Sequence, residues 1–169
     1  MKSTKAFIWL TCTVILLLIT ACPVSTSYPL FTPGKSVIDQ SLLGTWKNDS
    51  TDAEANKIKI SKASDSTYWI YILDKGSMYM ADADTFVAWT GRIGEHDYLT
   101  LQEFTTVAQE TYFVYSIKKQ KDKIITHDIS LKVNGTDAVV SISDYQKEVL
   151  ASEKMSGFLS SEIIWTKVE

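Results

Sequence analysis

"NKIKISKASDSTYWIYILD", residues 56–74, sets the fold class. Over 56–62 apolar and polar residues alternate, with Ile58 and Ile60 on one side and Lys57, Lys59 and Ser61 on the other. A period of two belongs to a strand, whose successive side chains leave a pleated backbone on opposite faces. "ASDS" (63–66) is turn chemistry, because short polar side chains bond their own backbone. "TYWIYILD" (67–74) is greasy on both sides, as a central strand is. Two strands about a polar turn make a hairpin.

The same scheme recurs in both directions. "SLLGTWK" (41–47) precedes the hairpin. "TFVAWTGRI" (85–93) and "DYLTLQEF" (97–104) are joined by Gly94-Glu95-His96, and "TYFVYSIKKQ" (111–120) meets "DKIITHDISLKV" (122–133) across a tight polar turn. "SEIIWTKVE" (161–169) closes the chain. One segment departs. In "SISDYQKEVLASEK" (141–154) Ser143 stands three residues before Gln146, the spacing of a capping box. Tyr145, Val149 and the Ile142–Gln146–Leu150 row fall at helical intervals. These patterns predict a mainly β domain, an antiparallel meander forming a barrel or half-barrel, with one helix near 143–154 before the last strand.

The N-terminus carries a different signal. Lys2 and Lys5 precede an apolar stretch, Ala6–Ile19, too short for the roughly 20 residues of a membrane span. A positive start, a short greasy centre and small residues at its end make a secretory signal peptide. Its ending, Ile19-Thr20-Ala21-Cys22, resembles the bacterial lipobox. The resemblance implies that the Cys22 thiol takes a diacylglyceryl group, that residues 1–21 are removed, and that Cys22 becomes the mature N-terminus. Acyl chains such as palmitate contribute roughly 0.8 kcal/mol per buried CH₂, and several chains on one cysteine anchor firmly. Pro23 follows Cys22 where enteric lipoproteins kept at the inner membrane carry aspartate. That implies an outer-membrane location facing the periplasm rather than the inner membrane.

Residues 22–40 hold all three prolines and many hydroxyls, a composition expected of a flexible tether. "PGKS" (33–36) matches only the end of a phosphate loop, and no strand precedes it. Residues 41–169 then form the folded domain. Loss of 1–21 removes two lysines and moves the formal net charge from −3 to −5. An acidic domain with Arg92 as its single arginine lacks the basic footprint that nucleic acid requires, so no nucleic-acid partner is expected. With Cys12 removed and Cys22 acylated, no thiol is left for a disulfide, a metal or catalysis.

"LLGTW" (42–46) brings a family into view. A Gly-x-Trp on the first strand of an eight-stranded meander resembles the lipocalin and wider calycin signature. The resemblance implies that Gly44 lets the chain bend and that Trp46 plugs the closed end of the barrel. The family packs an arginine near the end of its last strand over that tryptophan. Here the region offers Lys167, which lacks the planar fork. The family's helix also follows its last strand, whereas the expected helix precedes it.

Sites for chemistry are sparse. Glu95-His96-Asp97 is expected as a solvated turn rather than a metal site. His127, if it faces inward with Ile125 and Ile129, is expected as a satisfied core histidine. Asp82 and Asp84 lack the further ligands of a calcium loop. No catalytic motif is present, so no enzyme activity, metal or cofactor is expected. The remaining candidates are aromatic: Tyr68, Trp69, Tyr71, Phe86, Trp89, Tyr112, Phe113 and Tyr115 lie on three of the strands. They either fill a narrow barrel or line a pocket for an apolar ligand. The expectation is a lipid-anchored, non-catalytic binding module for a small apolar ligand or an envelope protein. Its alternative is a structural or assembly accessory with a filled barrel.

Overall fold

The computed structural model describes residues 25–50, 53–77, 79, 81–105 and 111–168. The segment 1–21, expected as a signal peptide, and Cys22, expected as the acylation site, lie outside the described residues. The fold is mainly β, and eight antiparallel strands close into a barrel. They are β2 (Gly44–Lys47), β3 (Ala55–Lys62), β4 (Tyr68–Lys75), β5 (Thr85–Ile93), β6 (His96–Glu103), β7 (Tyr112–Gln120), β8 (Lys123–Ile129) and β9 (Leu159–Lys167). A short β1 (Ser25–Thr26) adds to the edge of β7. Helix α1 (Ile142–Ser152) precedes β9. Neighbours in sequence pair from β2 to β9, and β9 returns to β2 through Trp46↔Lys167 and Lys47↔Thr166. Of the two expected forms, the closed barrel is therefore the one observed.

Closure follows from the alternation. Partners in an antiparallel ladder share a face, and Ile60↔Ile70↔Phe86 and Tyr68↔Ala88↔Leu101↔Phe113 run across the strands on the inner one. With Trp46, Ile124 and Trp165 these residues build an interior cluster. A second apolar cluster lies on the outside. Tyr98, Val114 and Ile129 of β6–β8 are covered by Tyr145 and Val149 of α1 and by Leu30 and Phe158.

Several boundaries differ from expectation, each because backbone donors find other partners. The first strand starts at Gly44, not 41, because Gln40–Leu42 winds into a 3-10 turn whose Ser41 N–H is taken by the Asp39 carboxylate at 2.8 Å. Strand β8 ends at Ile129 rather than 133, since the Lys132 N–H donates to Ser152 Oγ and the Val133 N–H to Glu148. Helix α1 starts two residues earlier than the capping box proposed. Ser141 is the cap, accepting the Asp144 N–H at 3.1 Å, and Gln146 instead donates to the Leu30 carbonyl at 3.0 Å.

That last bond shows how residues 25–40 behave. The stretch expected as a tether is laid against the barrel. Leu30 is fully buried, the Phe31 carbonyl accepts from Trp89 Nε1 at 2.7 Å, and Ile38 enters the interior cluster. Beyond the two residues of β1 the segment adds no strand to the sheet, but it packs. Gly91 makes room for it, as a Cβ there would lie 2.5 Å from the Phe31 ring.

Candidate functional site

The turn into the first barrel strand comes first. Gly44 has φ 135°, a conformation open to glycine and strained for other residues. It stands between the 3-10 turn and β2, whose Trp46 lies in the interior cluster. Trp46 is fully buried, and its indole N–H donates to the Leu42 carbonyl at 2.9 Å. Lys167 Nζ stands over the ring, 5.4 Å from its centroid. The lysine thus occupies the cationic position over the tryptophan, held there by the Trp46↔Lys167 pairing.

The eight aromatics do not form one site. Alternation sends Tyr68, Phe86, Phe113 and Tyr115 inward and Trp69, Tyr71, Trp89 and Tyr112 outward. Inside, Tyr68 and Phe86 pack in the cluster, Phe86 meets Phe113 edge-on at 6.3 Å, and Tyr68 Oη accepts the Asp39 N–H at 2.6 Å. Outside, Trp89 and Tyr112 lie ring to ring at 6.2 Å, and both are buried. Trp69 and Tyr71 remain on the outer surface with Phe104, which Trp69 meets edge-on at 5.0 Å. Phe104 is 63% exposed and Leu73 50%.

Trp46, Ile70 and Trp165 are buried together in the interior cluster. Toward the far end Ile58, Ile72, Phe113 and Ile163 are only partly buried. There Tyr115 Oη donates to Glu54 Oε2 at 2.6 Å. Burial raises the Glu54 carboxyl above its ordinary value and the nearby Asp128 adds to this, while the Tyr115 bond opposes it. Burial likewise raises Asp128. Two hollows, of about 330 Å³ beside Asn134, Lys147 and Glu148 and about 270 Å³ between Asp39, Arg92 and Lys119, are lined by none of the eight aromatics.

The raised Glu54 value has a consequence for stability. Folded protein binds this proton more tightly than unfolded chain, so its contribution is complete below the ordinary value of 4.5 and is lost as pH rises through the folded value. Glu54→Gln keeps an oxygen for Tyr115 and has no charge to bury. Its melting temperature is expected to exceed that of the parent at pH 7.5 and to converge with it at pH 4.5, in paired thermal melts.

Both histidines are half-buried. His96 lies in ring contact with Tyr98 and Phe158 at the β5–β6 turn. His127 points outward, against the inward placement considered from sequence, and its Nε2 stands 3.3 Å from Glu162. Among the described residues no three His, Cys, Asp or Glu side chains are grouped as a metal site requires, and none of the described helices is long and apolar enough to cross a membrane.

Sequence reasoning missed three groups. Glu54 meets Tyr115 only through the folded barrel, and Asp128 faces Tyr115 across the β7–β8 hairpin. Phe104 reaches Trp69 across β5. Glu148 had a visible signal: Tyr145, Glu148, Val149 and Ser152 sit at helical spacing and all are buried, so a carboxylate lies on an apolar face. Compared with family models, curated proteins and solved structures, the chain matches none of them.

Proposed function

We propose that the chain is a lipocalin-like lipoprotein, anchored through an acylated Cys22 to the cell envelope and facing the periplasm from the outer membrane. It works as a non-catalytic interaction module that holds a protein partner. The observation that carries the reading is the split of the aromatics. Of those facing inward, Tyr68 and Phe86 are buried in the cluster around Trp46 and Phe113 and Tyr115 pack against it partly buried, while Trp69 and Tyr71, facing outward, join Phe104 on an outer face. Exposed, contiguous apolar surface of this kind is a mark of protein contact, and tryptophan and tyrosine are favoured anchors. The Gly44–Trp46–Lys167 arrangement and the 3-10 turn before the first barrel strand support the lipocalin-like part.

Native mass spectrometry of the protein extracted from its own membranes tests both parts. The N-terminal peptide is expected to start at Cys22 and to carry added lipid mass, with labelled palmitate incorporated by the parent and not by Cys22→Ala. The intact species is expected to hold protein and no small molecule. A stoichiometric apolar molecule released on unfolding would turn the module into a carrier, and a soluble chain with no lipid mass would remove the anchor.

A further inference from the structure

The outward row of α1 carries no carboxylate. Ser143, Lys147, Leu150 and Lys154 recur at intervals of four, three and four, one line along the helix and the turn that follows it. All four are exposed, and Leu150 is 45% exposed. Lys154 forms no ion pair among the described residues. The acids of the segment are engaged elsewhere. Asp144 accepts the Ser141 hydroxyl at 2.6 Å and pairs with Lys147 at 3.3 Å. Glu148 is buried against the backbone of Val133, Asn134 and Gly135, and Glu153 accepts the Tyr98 hydroxyl at 2.6 Å. Asp137 stands outside the row, in the 3-10 turn Thr136–Ala138. What faces out is an apolar side chain between two lysines, with Met155 exposed beside the second.

The proposed anchor leaves the domain on the same side. Ser25 opposes Phe113 of β7, and Val114, the next residue of that strand, belongs to the cluster that Tyr145 and Val149 of α1 cover. The lead-in then passes beside the helix, where Gln146, one turn before Leu150, donates to the Leu30 carbonyl. Three links separate Ser25 from Cys22, at most about 10 Å. A helix with its side chains is itself about 10–12 Å thick. An acylated Cys22 therefore holds the bilayer about as close to β7 as the outward row of α1 stands. We infer that this row docks on the lipid surface, with Leu150 entering between headgroups and Lys147 and Lys154 reaching anionic phosphates, their stems laid along the apolar layer. Tyr28, exposed between β1 and Leu30, supplies an aromatic ring of the kind that settles at such an interface. The acyl anchor already keeps the domain at the surface, so a weak contact is enough to fix its orientation. The inference rests on the proposed anchor and adds which face the domain turns to the bilayer.

The acylated chain reconstituted into vesicles tests it. Beyond Cys22, and Cys12 in the segment 1–21, the chain has no cysteine, so in the processed and acylated form a substituted cysteine takes the only label. Leu150→Cys carries an environment-sensitive nitrobenzoxadiazole at the centre of the row, and Leu73→Cys carries it on exposed β4, three strands round from β7. In vesicles of phosphatidylcholine with phosphatidylglycerol the probe at 150 is expected to be at least about two-fold brighter than in phosphatidylcholine alone, and to be quenched by lipids with a nitroxide on the acyl chain. The probe at 73 is expected to be the same in both. Lys147→Gln combined with Lys154→Gln keeps the probe and is expected to abolish the gain, as is high salt. A probe at 150 that stays as dim as the one at 73, or a gain that survives loss of both lysines, would overturn the inference. So would a gain that grows with the number of chains per vesicle, which would put a second copy over the row. A parent chain that takes label would report a free Cys22 thiol and remove the anchor itself, a failure distinct from an anchored chain whose row stays in water.

Discussion

Trp46→Ala is expected to be the most damaging single substitution, lowering stability by about 4 kcal/mol. The indole is fully buried and fills the barrel beside the 3-10 turn. Truncation leaves a void that the barrel cannot collapse, because β2 is pinned on both sides by β3 and β9. It also leaves the Leu42 carbonyl without its donor. Lys167→Ala should cost far less, about 0.5–1 kcal/mol, since it removes only a cation over a ring at a half-open site. Urea unfolding followed by far-UV circular dichroism measures both. Equal losses in the two variants would mean that the lysine, not the indole, holds the barrel end together.

Legibility from sequence tracked the range of the interaction. Strand β3 was readable residue by residue, because Lys57–Ile60 alternate within a few residues of one another and their turn is local. The pairings that close the barrel were not. Trp46 meets Lys167 across most of the chain, and no local pattern states that β9 returns to β2. The candidate site failed in an instructive way. The eight aromatics were correctly placed on strands, but a set drawn from consecutive positions on a strand must divide between two faces. Tyr68 and Trp69 part company at once, one into the core and the other onto the surface. Phe104 joins Trp69 only because it prolongs the β5–β6 ladder, its N–H bound to the Thr85 carbonyl, and its ring reaches over β5. The tether expectation weighed the prolines and overlooked Leu30, Phe31 and Ile38 between them, which supply the apolar surface that fastens the segment down.

Glu148→Ala should lower stability by about 3 kcal/mol, the second large effect, through hydrogen bonds rather than packing. The side chain is 4% exposed on the inner face of α1. One oxygen accepts the N–H groups of Val133 at 3.0 Å, Asn134 at 2.8 Å and Gly135 at 3.3 Å, and the other accepts Asn134 Nδ2 at 2.8 Å. These bonds stop the chain after β8 and turn it toward the helix, so alanine leaves several donors with no acceptor. Burial pushes this carboxyl up, but the bonds from Asn134, Val133 and Gly135 together outweigh it and hold it below the ordinary 4.5. Its linkage is therefore opposite to that of Glu54: the contribution is present above the unfolded value and is lost as pH falls through the folded one. Glu148→Gln keeps an acceptor oxygen but not the charge, and should show a deficit at pH 7 that narrows as pH falls below about 4.5. Melts of Glu148→Gln and Glu54→Gln across pH 3.5 to 7.5 would then move in contrary directions against the parent. Two curves of the same slope would show that one of the two carboxylates is not held as described.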